Sequence, residues 1–192
     1  MRSRIVQSTL IALALLGQPP LLATLSTAAA AQSEREGAVL DGLFDQLRSA
    51  PDESTARAIT DKIWIYWTTP ADPVLAGRMR DVLELRQNAD FPAVIALLDD
   101  IVADYPEYAE AWNQRATIHY LLRDFDQSLA DIAKALEFEP RHFGALAGRA
   151  VIYENQGQHA LALKDMSTAL AIHPFLAERA MFPELLDDAT RI

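Results

Sequence analysis

Apolar positions recur at helical spacing along the chain from residue 38 onward. Leu40, Leu43, Phe44 and Leu47 form one stripe, and Ile59, Ile63 and Trp67 form another. Steps of three and four put such side chains on one face of a helix. Between the stripes, "SAPDEST" supplies a stop and a new start, so 38–69 reads as a helical hairpin. "TTPADP" then gives a turn, with Asp72 as N-cap and Pro73 at the first helical position. Three further runs each close on a proline: "ALLDDIVADYP", "SLADIAKALEFEP" and "ALKDMSTALAIHP". Those prolines are evenly spaced: the step from Pro106 to Pro140 equals the step from Pro140 to Pro174.

The whole pattern carries the same period. The shift that takes Pro106 to Pro140 also takes Trp112 to Leu146, Arg115 to Arg149, Ala116 to Ala150, Ser128 to Ala162, Ile132 to Met166 and Ala135 to Ala169. The reverse shift brings Val82 under Ala116, Phe91 under Phe125 and Val94 under Ser128. A helix–turn–helix unit is therefore repeated three times, over 75–108, 109–142 and 143–176. Small residues at 116, 128 and 135, and again at 150, 162 and 169, let paired helices approach closely. Each proline ends the second helix of its unit, because it lacks an N–H and restricts the residue before it. One unit cannot bury its apolar face alone, so the units must stack.

A cation lies on the apolar side of two units. Arg115 and Arg149 are each followed, at the same interval, by an aspartate: Asp131 and Asp165. The unit at 75–108 has Asp81 and Leu97 in those slots, so both partners are missing together. Charges beside an apolar face are normally paired. Arg115–Asp131 and Arg149–Asp165 are therefore expected to be ion pairs within each hairpin, in preference to a role as anion ligands.

This arrangement resembles the tetratricopeptide repeat family, whose pattern W-x2-L-G-x2-Y…A-x3-F…P recurs with a period of about 34 residues. Residues 109–142 offer Trp112, Ala116, Ser128, Ile132 and Pro140; residues 143–176 offer Leu146, Ala150, Tyr153, Ala162, Met166 and Pro174. The unit at 75–108 is degenerate, with Arg78 in the aromatic slot and Val82 in the small-residue slot. The resemblance implies an all-α superhelix of helical hairpins whose first helices line a concave groove for a peptide or protein segment. The lining positions it implies are Met79, Leu83 and Arg86; Asn113, Thr117 and Tyr120; then Ala147, Val151, Glu154 and Asn155. Ala76, Gln87, Glu110, Leu121 and Gly144 complete the set. No lysine falls in it, which argues against the carboxylate grip that some members use on chaperone tails.

The flanks complete the picture. "IWIYW" at 63–67 is expected to cover the open apolar end of the stack, making 38–69 an N-terminal capping hairpin. "FLAERAMFPELLDD" is expected to supply a C-terminal capping helix within 177–192, bent or ended by Pro183. Residues 1–31 hold Arg2 and Arg4, an apolar run from Leu10 to Leu16 and a small-residue stretch before Gln32. That order is a secretory signal peptide, with 32–37 a short linker. Gly17-Gln18-Pro19-Pro20 splits the apolar stretch below the roughly 18–20 residues a membrane span needs, so no integral span is expected after cleavage.

Charge and chemistry narrow the function. Formal charge is −10, and beyond residue 31 it is −12, with 15 basic against 27 acidic residues. Nucleic acid, which needs a basic surface, is an unsuitable partner. There is no cysteine, which removes disulfides, thiolate metal sites and cysteine nucleophiles. No phosphate-binding glycine loop, nucleophile elbow or zinc-binding helix motif is present, and His119, His142, His159 and His173 form no i, i+4 pair. No catalytic residue, metal or cofactor is assigned. The expectation is a periplasmic adaptor that binds a protein or peptide in its groove. A chaperone-like export or maturation factor shielding apolar clients is the alternative, and an enzyme of uncharacterised type a third reading.

Overall fold

The computed structural model describes residues 37–187. These fall almost wholly in the second of two compact units, Ala38–Ile192. The expected signal peptide (1–31) and all but the last residue of the expected linker (32–37) lie outside the described residues. The first helix, α1, occupies 37–48. It is followed by α2 (Glu53–Thr68), α3 (Pro73–Gln87), α4 (Phe91–Asp104), α5 (Ala109–Leu121), α6 (Phe125–Phe138), α7 (Phe143–Asn155) and α8 (His159–Ile172). A 3-10 turn (Ala177–Met181) and a short helix, α9 (Glu184–Asp187), close the chain. The described residues contain no strand. The fold is an all-α solenoid in which α3–α4, α5–α6 and α7–α8 pair as hairpins and each hairpin packs on the next.

Local chemistry sets these boundaries at the period of the repeat. Asp72 caps α3, its carboxylate accepting from Val74 N at 2.8 Å and Leu75 N at 3.0 Å. Asp90 and Asp124, one period apart, cap α4 and α6 in the same way, accepting from Ala93 N and Gln127 N. The turns inside the three hairpins are also equivalent. Ala89, Arg123 and Gly157 all take the left-handed conformation, with φ of 55°, 62° and 72°. Only the last is glycine, the one residue without a steric penalty there.

Small residues bring the paired helices together. Ala116, Ala135, Ala150, Ala162 and Ala169 are fully or almost fully buried. Ser128 is buried too, and it donates its hydroxyl to the Ala116 carbonyl at 2.8 Å, which tolerates the polar atom in the interface. One apolar cluster joins α3, α4 and α5 through Leu75, Met79, Val82, Leu98, Ile101, Ala111 and Ile118. Another joins α1, α2, α7 and α8.

That second cluster corrects the expected place of the N-terminal hairpin. It does not stack on the 75–108 unit at the near end of the repeats. Leu43, Phe44, Leu47, Ile59, Ile63 and Trp67 instead join Phe143, Leu146, Ile172 and Leu176 of the final repeat. The reason is the surface each end offers. Away from its buried stripe, α3 presents exposed Arg80, Asp81 and Glu84, whereas α7, α8 and the following turn present aromatic and aliphatic side chains.

Helix α2 lies along the row of turns between repeats. Thr60 Oγ1 is 3.0 Å from His173 Nε2, Trp64 and Trp67 meet His142 and Phe143, and the Trp67 carbonyl accepts from the Tyr108 hydroxyl. Thr60 and Trp67 are about 10 Å apart along a helix at 1.5 Å per residue, close to the 8–10 Å between packed helices. Burial pushes the Tyr108 phenol well above its usual range and keeps it a donor.

The C-terminal cap is not one continuous helix. It breaks into the 3-10 turn and α9 around Pro183, where the missing N–H stops helix propagation. Phe182, fully buried, anchors the break in the cluster shared with the N-terminal hairpin.

Candidate functional site

A half-open cleft of about 330 Å³ lies between the last two repeats and the C-terminal turn. Helix α5 lines it with Asn113, Ala116, Thr117 and Tyr120, and α6 contributes Ser128 and Ile132 beneath them. Helix α7 supplies Gly144, Ala145, Gly148, Val151 and Ile152. Glu178 and Met181 of the 3-10 turn close the far side. Glu178 stands one repeat period after Gly144, and Met181 one period after Ala147. The turn thus stands where the first helix of a further repeat would begin, and Pro183 occupies the slot of Arg149.

Of the expected groove residues, Asn113, Thr117, Tyr120, Val151 and Gly144 share this cleft. Met79 and Ala147 do not line it and are buried against other parts of the core. Met79 packs among Leu75, Val82 and Leu98, and Ala147 belongs to the cluster formed with the returning hairpin. Arg86 is turned to Gln114, donating to its Oε1 at 2.8 Å, and Glu154 is engaged by His159 at 2.8 Å. Leu83 is half-buried and Asn155 exposed, both away from the cleft. Pattern matching missed Ser128 and Ile132, which reach the floor from a second helix. It missed Glu178 and Met181 as well, although the repeat shift points to both.

Glu110, another implied groove position, is buried among Asn113, Gln114 and His142 instead. Its carboxylate accepts from Asn113 Nδ2 at 3.2 Å and Gln114 Nε2 at 2.5 Å, and faces His142 Nε2 at 2.9 Å. His142 Nδ1 accepts from Ala145 N at 3.1 Å, so the ring carries its hydrogen on Nε2, towards Glu110. Trp67 covers the ring. No buried side-chain nitrogen or oxygen among the described residues is left without a partner, so this network is complete.

The two arginines sit behind the groove, in the hairpins. Arg115 Nε and Nη2 donate to Asp131 Oδ2 and Oδ1 at 2.8 and 2.7 Å. Arg149 makes the same two-pronged contact with Asp165, at 2.6 and 2.9 Å. The aspartate side chains keep only 5% and 8% of their exposure. Arg115 does more: Nη1 reaches Asp99 of the preceding repeat at 2.6 Å, and the guanidinium lies 4.9 Å from the Trp112 ring centroid. The bond to Asp131 raises the Arg115 pKa, and that to Asp165 raises that of Arg149. Neither arginine lines the cleft.

The described residues hold no group of histidine, aspartate and glutamate placed to bind a metal ion. The cleft itself offers apolar surface with a few polar atoms, a composition that suits recognition of a ligand.

Comparison with known proteins agrees with this geometry. The tetratricopeptide repeat model matches residues 109–142. A TPR repeat-containing protein of Rhizobium etli is 36% identical over 135 residues, which is 70% of this chain and 66% of that one. Sperm-associated antigen 1 of Rattus norvegicus is 36% identical over 66 residues, or 34% of this chain and 7% of that protein. The chain therefore spans just under two thirds of the first relative and a small part of the second. The crystal structure of MamA aligns with a TM-score of 0.45 at 18% identity, covering 76% of this chain and 82% of that one. With its three evenly phased hairpins, its repeat-phased caps, the family model over 109–142 and the Rhizobium etli relative, the chain belongs to the tetratricopeptide repeat family, whose repeats generally mediate protein–protein interaction.

Proposed function

We propose that this protein is an exported, periplasmic adaptor that holds a segment of a partner polypeptide in the cleft between α5, α7 and the C-terminal turn. It performs no chemistry of its own. The observation that carries this reading is the cleft: Tyr120, Val151, Ile152 and Met181 give apolar surface, and Asn113, Thr117 and Glu178 give polar atoms beside it. Its volume is near the lower end of the roughly 300–1,000 Å³ usual for ligand sites, enough for a few side chains of an extended segment. Export rests on the leader-like order of residues 1–31.

The test fills the cleft. Val151→Trp places an indole across its middle from a half-buried position. The wild-type chain is expected to capture a small set of stoichiometric partners from periplasmic extract, and Val151→Trp to lose them with helicity unchanged. Retention of the same partners by the variant would remove the cleft from consideration. Capture of many unfolded clients would favour the chaperone reading. Mass spectrometry of the native protein is expected to find an N-terminus at or near Gln32; an intact Met1 in the membrane fraction would contradict export.

A further inference from the structure

We infer that the segment held in the cleft carries a lysine or arginine next to an apolar side chain, and that its cation pairs with Glu178. This rests on the groove reading and adds the chemistry of the ligand. Glu178 is the one lining residue with a formal charge near neutral pH. The described residues give it no cationic partner: its neighbour Arg179 donates to the Pro174 carbonyl and stacks on Phe175. The other nearby carboxylates are occupied, Glu154 and Glu184 by His159 and Glu110 by its own network. A half-buried carboxylate beside apolar surface gains most from a cation that shares its desolvated setting.

The polar atoms around it are biased the same way. Thr117 donates its hydroxyl hydrogen to the Asn113 carbonyl at 2.9 Å, and Ser128 donates its own to Ala116. Asn113 donates from its amide nitrogen to Glu110, which leaves its Oδ1 as an acceptor. The lining therefore offers Thr117 Oγ1 and Asn113 Oδ1 as acceptors beside Glu178, with the Tyr120 hydroxyl and the second N–H of the Asn113 amide as the remaining side-chain donors. A ligand that brings N–H groups, from its backbone and from a cationic side chain, matches such a lining. The chain's net charge of −10 favours approach of the same ligands.

The experiment uses the full chain and blocked eight-residue peptides in which leucine alternates with lysine, glutamine or glutamate. Fluorescence anisotropy is expected to show the lysine peptide binding about tenfold tighter than the glutamine peptide, the scale of one charge-assisted contact. Glu178→Gln should erase that preference, and Glu178→Lys should transfer it to the glutamate peptide. Equal binding of lysine and glutamine peptides, a preference that survives Glu178→Gln, or no binding of the lysine peptide at millimolar concentration would each overturn the inference. Val151→Trp separates the two readings. If it abolishes binding of all peptides while Glu178→Gln changes nothing, the cleft stands and the cation does not. If peptides bind the Val151→Trp chain unchanged, both fall.

Discussion

Trp67 lies face to face on His142, with ring centroids 4.1 Å apart and planes 11° from parallel. The pair joins residues far apart in the chain and ties the first hairpin to the junction of the last two repeats, where His142 caps α7. The indole shields the hydrogen bond from His142 to Glu110, while its own backbone carbonyl receives the Tyr108 hydroxyl. Trp67→Ala would open a large cavity and admit water to a buried polar network. A loss of about 3–5 kcal/mol is expected from truncation of a buried tryptophan. Denaturant melting measures that loss, and hydrogen exchange should show protection falling in both α2 and α7. Loss confined to α2 would mean that the hairpin contributes nothing to the repeats it crosses.

The left-handed turns yield a gain. Ala89 has φ of 55° in the slot that holds Gly157 two repeats later. An L-residue costs roughly 1–2 kcal/mol in that conformation, and added freedom of the unfolded chain returns about 0.4–1 kcal/mol of this to the cost of glycine. Ala89→Gly is therefore expected to stabilise the protein by about 0.5–1 kcal/mol, seen as a higher denaturation midpoint at unchanged slope. Arg123, at φ 62°, is a poorer site for the same change, because its guanidinium lies 5.5 Å from the Phe125 ring centroid and that contact would go.

Much of this architecture was legible because it repeats. The even spacing of Pro106, Pro140 and Pro174 placed the hairpins, and joint presence or absence of Arg and Asp at a fixed interval placed the clamps. The reach of Arg115 to Asp99 was not legible, since the equivalent position one repeat on is Ala133 and no recurrence marks it. Nor was the return of the first hairpin. Its stripe of Leu43, Phe44, Ile59 and Trp67 states that it must be buried, but not against which end. That depends on comparing the polar outer face of α3 with the apolar one of α7 and α8, which emerges only after the repeats have stacked. At the cleft, Asn113, Thr117 and Val151 follow the repeat pattern. Met79 and Ala147 depart from it because neighbours bury them.

Two histidines should titrate on opposite sides of the ordinary value of 6.5. Glu154, and then Glu184, raise the pKa of His159, which stands between them at 2.8 and 2.9 Å. Burial lowers that of His173, whose Nδ1 already accepts from Phe175 N. The signs are opposed. The stabilising contribution of His159 is complete below about 6.5 and fades as pH rises through its folded value; that of His173 is present above about 6.5 and fades as pH falls through its own. NMR titration of the ring protons measures both. Above the His159 transition, α9 should loosen first, because His159 links Glu184 to Glu154 across the α7–α8 turn. Coincident titration of the two rings would contradict both environments.

The clamps allow the sharpest comparison, since the same pair occurs twice with one difference. Asp131 and Asp165 are almost equally buried and each accepts two bonds from its arginine, but only Arg115 also reaches Asp99 and lies on a tryptophan. Removing one partner strands a buried charge, so Arg115→Leu and Arg149→Leu should each cost about 3 kcal/mol. Adding Asp131→Leu to the first, or Asp165→Leu to the second, should recover much of that loss, because an apolar pair can replace a buried ion pair at little net cost. Recovery should be less complete at the first site. There the double variant still leaves Asp99 without its cation and Trp112 without its stacked partner. Asp99 is exposed, and an exposed pair contributes about 0.2–1 kcal/mol. Double-mutant cycles by denaturant melting give the coupling at each site. A coupling near zero at either would mean that arginine and aspartate do not act on each other in solution, and that the hairpins are held by their small-residue contacts alone.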